Sequence, residues 1–215
     1  MVTHHRDDAM TAGHVLHWAR LYDLFGNIVT LGRASAMREQ TLELAGLRAG
    51  ERVLEVGCGT GEVAQRARLR VGAAGQVSGI DPSADMIEVA TKKAARAGLD
   101  IDYRIGAIEA LPYPDASFDV VLSSLMMHHL PDELKSAGLA EVRRVLKPGG
   151  RLLIVDFKRP RRWLSQLAMR LVLHGHLGRG FEHLAAIVAA AGFTDVTSGP
   201  TRFDVLGVVS ARAPA

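Results

Sequence analysis

The run Val53-Leu54-Glu55-Val56-Gly57-Cys58-Gly59-Thr60-Gly61 constrains the fold of this chain more than any other stretch. Val53 to Val56 is a short, largely apolar run with β-branched residues, as expected of a strand buried on both faces. Three glycines at alternate positions follow, and Glu62 to Val71 has helix-forming composition. A strand that feeds a helix through a glycine-rich turn brings a ligand close to bare backbone and to the helix N-terminus. That arrangement belongs to an α/β fold. The spacing is GxGxG, not GxGxxG, and the difference narrows the choice of ligand.

Strand and helix patterns alternate after the loop. Gln76 to Ile80 reads as a strand ending at Asp81, with Pro82 where the first turn of a helix tolerates proline. Met86, Ala90, Ala94 and Ala97 recur at helical spacing, and Gly98 closes that helix. Ile101 to Ile105 and Phe118 to Ser124 read as the third and fourth strands. Leu134, Gly138, Val142 and Val145 form the apolar stripe of the next helix. Lys147-Pro148-Gly149-Gly150 reads as a breaker before a fifth strand over Arg151 to Phe157. Leu184, Ile187, Val188 and Ala191 mark a last helix. Thr194 to Ser198 and Asp204 to Ser210 then form an antiparallel hairpin at the sheet edge, turning at Gly199-Pro200. Strands alternating with helices imply right-handed crossovers and a mostly parallel sheet.

A chain of 215 residues with 48% hydrophobic and 23% charged residues supports one substantial core. A net charge of +3 is too small to imply nucleic-acid binding without a localised basic patch. No apolar run approaches the roughly 20 residues needed to span a bilayer, and no signal-peptide pattern precedes the first helix. Cys58 is the single cysteine, which excludes an internal disulfide and a cysteine zinc cluster. A cytoplasmic protein is the simplest expectation.

Three nucleotide-like ligands compete for the glycine loop. A phosphate loop needs Gly-Lys-Ser/Thr, whereas the chain has Gly61-Glu62-Val63, and Glu62 is unfavourable beside phosphates. A dinucleotide site prefers GxGxxG. S-adenosylmethionine carries no phosphate, and its amino-acid end and ribose suit a tight loop flanked by acids. Asp81, at the end of the second strand, can accept hydrogen bonds from both ribose hydroxyls, although an Asp-Pro pair there also serves as a helix cap.

Leu54 to Gly61 resembles motif I of the class I S-adenosylmethionine-dependent methyltransferases. Gly79-Ile80-Asp81-Pro82-Ser83 with Met86 is similar to the second motif of that family. Leu111-Pro112-Tyr113 through Ser117-Phe118-Asp119-Val120-Val121 is similar to the fourth-strand motif, and Leu146-Lys147-Pro148-Gly149-Gly150 to the fifth. The overall pattern is similar to the ubiquinone/menaquinone-type C-methyltransferases and the small-molecule group around them, which includes phospholipid N-methyltransferases. The resemblance implies a doubly wound, seven-stranded, mostly parallel sheet with a C-terminal antiparallel hairpin. It also implies S-adenosyl-L-methionine as cofactor. Glu55, Gly57, Gly59 and Gly61 would then hold the methionine end, Asp81 the ribose, and Pro82 and Met86 the adenine. Tyr22 would reach the cofactor carboxylate, and Ser123 would also contact the cofactor. Ala107-Ile108 occupies the place of the family's Asp-Ala pair, so the adenine amino group must be met elsewhere, by Glu109 or by backbone.

The methyl group arrives activated, so the protein must chiefly align the acceptor and exclude water. His128 and His129 follow the fourth strand and are the candidate bases for an acceptor that arrives protonated. No third ligand accompanies them, and no metal is expected. Residues 1–47 read as a helical lid before a methyltransferase domain at 48–215. Within that domain, 158–180 is a basic amphipathic insertion. Its arginines, among them Arg161, Arg162 and Arg170, flank an apolar stripe through Trp163, Leu167 and Leu171. This pattern suits either a lid or contact with the anionic inner face of a membrane. The expected partner is a small or lipophilic acceptor: a quinone precursor, a phenol or a phospholipid. A regulatory protein that binds the cofactor without turnover is the alternative. Nucleic acid is disfavoured, since neither an Asn-Pro-Pro-Tyr-like motif nor a Pro-Cys nucleophile is present. Oligomeric state is not legible.

Overall fold

A computed structural model of the chain describes residues 32–158 and 181–215. The described chain begins with helix α1 (Ala34–Ala45), closed by Gly46 in the left-handed conformation. There follow β1 (Arg52–Val56), α2 (Glu62–Val71), β2 (Gln76–Asp81), α3 (Ala84–Arg96), β3 (Asp102–Ile105) and β4 (Phe118–Ser124). A single 3-10 turn (Met127–His129) then leads to α4 (Asp132–Val145), β5 (Leu146–Phe157), α5 (Phe181–Ala190), β6 (Thr194–Pro200) and β7 (Leu206–Arg212).

The seven strands form one sheet in the order β3-β2-β1-β4-β5-β7-β6. Strands β1 to β5 run parallel, whereas β7 pairs antiparallel with both β5 and β6. This is the expected doubly wound sheet with a C-terminal hairpin. Successive side chains of a strand point to opposite faces, so each central strand feeds two cores. Leu54, Val56, Val121, Leu152 and Ile154 pack with α4 and α5 on one face. Val53, Val120, Leu122, Leu153 and Val155 pack with Met37 and Leu42 of α1 and Val63, Ala64 and Ala67 of α2 on the other. Each fully buried aliphatic side chain contributes about 1.5–3 kcal/mol, which is why the central strands read as unbroken apolar runs. The order of strands reverses between β1 and β4, and the connections leaving these two neighbours diverge to opposite faces. A crevice opens between them at the carboxyl end of the sheet.

Several boundaries differ from the sequence reading, among them β7, which spans Leu206–Arg212 and not Asp204 to Ser210. β5 starts at Leu146, not Arg151, because Lys147 to Gly150 bulges without leaving the sheet: Leu146 pairs with Phe118, and the next pair is Arg151 with Val120. Gly149 takes a φ of +72° there and donates its N–H to Ala213 O at 3.1 Å. Gly199 and Pro200 belong to β6, and the hairpin turns at 201–205. Pro82 precedes α3 instead of opening it, and the cap is Ser83, whose hydroxyl accepts from Met86 N at 3.3 Å. Asp81 is therefore not a helix cap.

Candidate functional site

The crevice between the ends of β1 and β4 holds a cleft of about 1060 Å³, open mouth included. Its floor is the glycine loop. Gly57 has a φ of +69°, and a Cβ there would overlap Met126 Cγ and stand 2.8 Å from Met126 Cβ. Only glycine lets the turn pass beneath the chain that leaves β4. Gly59 has a φ of +51° but nothing within 4 Å of a Cβ position, so its open side faces room that a ligand can use.

Acidic groups gather at this loop. Glu55 is 2% exposed, yet its Oε2 has no protein partner. Burial, with a smaller contribution from the Asp81 charge, pushes its carboxyl up from near 4.5 to about 8. Asp81 accepts Gly59 N at 2.9 Å through Oδ2 and Ser83 N at 3.0 Å through Oδ1, which aims the carboxylate at the cleft. Burial also raises its pKa, against the two backbone N–H groups. Cys58 is buried under the same loop, and burial pushes its thiol well up, so the group is an inert filler here. Glu109 lines the far wall, and its Oε2 is likewise buried without a protein partner.

The segment after β4 supplies the opposite wall. Leu125 turns through a φ of +57°, an uncommon conformation for a side chain of this size, and its N–H donates to Val155 O at 2.9 Å. The 3-10 turn then places His129 on the cleft. His128 stands behind it, with the two imidazole centres 3.9 Å apart. Asp156, at the end of β5 and 2% exposed, holds His128 twice: Oδ2 accepts the His128 N–H at 2.9 Å and Oδ1 faces Nδ1 at 2.6 Å. Phe157 N donates to the same carboxylate at 2.6 Å. A carboxylate oxygen only accepts, so His128 presents its Nδ1–H to Asp156.

Of the residues expected at the site, Glu55, Gly57, Gly59, Asp81 and His129 line the cleft. Pro82, Met86, Ala107 and Ile108 line its apolar part. Gly61, Ser123 and His128 are adjacent but do not line it: Gly61 caps α2 with a φ of +78°, and Ser123 is buried with its Oγ unpartnered. Tyr22 and the 159–180 segment lie outside the described residues. Sequence reasoning missed Arg38, Met126 and Asp156. No local motif marks them; Arg38 and Asp156 reach the site from α1 and β5 only through the fold.

Residues 53–150 match the Methyltransferase domain family. The ubiquinone/menaquinone biosynthesis C-methyltransferase UbiE of Teredinibacter turnerae is 34% identical over 77% of this chain and 67% of its own length. Its counterpart in Francisella philomiragia is 36% identical over 66% of this chain and 57% of its own, so the chain spans about three fifths of that relative. A SAM-dependent methyltransferase from Aquifex aeolicus superposes with a TM-score of 0.69 at 24% identity, covering 89% of this chain and 97% of the other. The [4+2]-cyclase SpnF gives 0.70 at 22% identity over 96% and 98%. At such identities these two share the fold. The chain belongs to the class I S-adenosylmethionine-dependent methyltransferases. Within that family it is similar to the ubiquinone/menaquinone biosynthesis C-methyltransferases over 66–77% of its length.

The residues of the cleft fit that cofactor. The buried, unpartnered Oε2 of Glu55 suits the cofactor ammonium, and the aimed carboxylate of Asp81 suits the ribose hydroxyls. Met86 and Ile108 line the cleft with apolar surface that would suit the adenine. Glu109 has a buried, unpartnered carboxylate oxygen that would suit the adenine amino group, which Ala107 cannot take.

Proposed function

We propose that this chain methylates a small, lipophilic hydroxyaromatic acceptor of the quinol or phenol type. When bound, S-adenosylmethionine supplies a methyl group already activated on a sulfonium centre. The protein contributes position, dryness and a proton acceptor. Glu55 and Asp81 orient the cofactor, and Met126 and Leu130 exclude water from the opposite wall. His129 takes the acceptor's hydroxyl proton on an imidazole nitrogen. His128 is a positioning residue, locked by Asp156 with its ring against His129. The observation that carries this reading is the buried Asp156–His128 pair behind His129. A histidine fixed in this way behind a candidate base suits an acceptor that arrives with a proton to lose. The similarity to enzymes named as quinone C-methyltransferases supports the same class of acceptor.

The lid expected over 1–47 is restricted to the residues before α1, because Met37, Leu42 and Ala45 of α1 are buried in the core. The residues before α1 and 158–180 are proposed to close over the cleft. The basic amphipathic pattern of 158–180 is proposed to lean on an anionic membrane where a lipophilic quinol resides. The test is transfer of labelled methyl from S-adenosylmethionine to a soluble phenol and to a hydroquinone carried in anionic vesicles. His129→Ala should lower turnover on both acceptors about 10²-fold or more while S-adenosylhomocysteine still binds. Arg161→Glu/Arg162→Glu should lower transfer only to the vesicle-borne acceptor. Tight cofactor binding with no transfer to any acceptor would point instead to a regulatory protein.

A further inference from the structure

Tyr103 of β3 reaches across a neighbouring strand to the end of the glycine loop. In the sheet register Tyr103 stands beside Gly79 of β2, and Gly79 beside Glu55 of β1. The phenol ring lies over Gly79: a Cβ there would stand 2.8 Å from Tyr103 Cδ1 and 2.9 Å from Cε1. Gly79 is not in the left-handed conformation. The ring, together with Cys58 Sγ at 3.0 Å, is therefore what requires a glycine there. Beyond Gly79 the Tyr103 hydroxyl donates to Gly61 O at 3.2 Å, and a Cβ on Gly61 would overlap that hydroxyl. The same carbonyl accepts Gln65 N at 2.9 Å, the first hydrogen bond of α2. Two glycines from separate motifs are thus shaped around one side chain.

We propose that Tyr103 is a positioning residue, a strut from the edge strand that fixes the exit of the glycine loop and the first turn of α2. It does not line the cleft and acts through Gly61. Gly57, Gly59 and Gly61 all take left-handed φ values, and glycine loses more conformational freedom on ordering than any other residue. A loop of this kind needs fixed points. Cys58 N–H donates to Ile80 O at 2.9 Å at its entrance, and Gly59 N–H donates to Asp81 at 2.9 Å at its middle. Tyr103 supplies the fixed point at its exit. The consequence for binding rests on the cofactor assignment above: the strut favours ligands that carry the amino-acid end, which this loop holds.

Two measurements on Tyr103→Phe, which keeps the ring and removes the hydroxyl, test it. Without ligand, amide hydrogen exchange over 59–65 should quicken about 2–10-fold, the worth of one neutral hydrogen bond, with β1 and β4 unchanged. Calorimetric binding of S-adenosylhomocysteine should weaken by about the same factor. 5′-Methylthioadenosine, which lacks the amino-acid end, should bind the variant as it binds wild type, within about twofold. Gly79→Ala, which displaces the ring, should reproduce both effects. Combined with Tyr103→Ala it should cost less than the sum of the two separate losses, because each removes the same strut. Unchanged exchange over 59–65 in Tyr103→Phe would overturn the proposal, as would equal weakening of both ligands. If wild type bound neither ligand, the cofactor assignment itself would fall, and with it the role of Tyr103 in binding.

Discussion

At the scale of single residues, the chemistry turns on carboxylates held where water cannot reach them. Glu55 has a carboxyl pKa of about 8 against an ordinary value near 4.5, so near pH 7 it is mostly protonated before the cofactor arrives. Pairing with the ammonium favours the charged form and releases the proton. The folded pKa is the higher one, so the stability Glu55 contributes to the ligand-free protein is fullest below pH 4.5. That contribution is lost as pH rises through about 8. Cofactor affinity runs the other way and should rise between about pH 6 and 8. Calorimetry in buffers of different ionisation enthalpy should show proton release near pH 7 in wild type and none in Glu55→Gln. Equal proton release in both would remove Glu55 from this role. Glu55 and Asp81 were legible because each stands at a fixed offset from a glycine or a strand end. Arg38 and Asp156 were not, since a lone charge on a helix or strand has no periodic partner to mark its direction.

Among the elements, the glycine loop and the segment after β4 are shaped against each other. Gly57 tolerates no side chain, because both its positive φ and the proximal atoms of Met126 forbid one, whereas Gly59 has the positive φ alone. The cost of a left-handed non-glycine residue is about 1–2 kcal/mol, and overpacking adds about 1–3 kcal/mol. Urea unfolding without ligand should therefore find Gly57→Ala less stable by about 2–5 kcal/mol and Gly59→Ala by about 1–2 kcal/mol. Equal losses would contradict the close approach of Met126. The alternation of strand and helix patterns made the β1–α2 and β2–α3 units legible almost to the residue. The fifth strand was read too short, because Pro148 and two glycines look like a terminator. A bulge absorbs them while Lys147 Nζ donates to Asp119 Oδ1 at 2.7 Å across the same strand pair. Tertiary pairing overrode a correct local signal.

Over the whole molecule, the reversal of strand order between β1 and β4 explains why residues from α1, β1, β2 and β4 converge on one cleft, with Asp156 of β5 bonded to His128 behind it. Motif order along the chain made that crevice predictable. Pro82, Met86, Ala107, Ile108 and the two histidines were legible from their offsets to strand ends. Met126 in the wall and Asp156 behind His128 were not, because their placement depends on how separate strands end in space. The central claim is that the crevice is the S-adenosylmethionine site. Titration of S-adenosylhomocysteine into wild type and Asp81→Ala, followed by calorimetry, tests it most directly. One-to-one binding in wild type, weakened about tenfold or more in Asp81→Ala with the fold intact by circular dichroism, is the predicted result. Absence of binding in wild type, or affinity unchanged by Asp81→Ala, would contradict it.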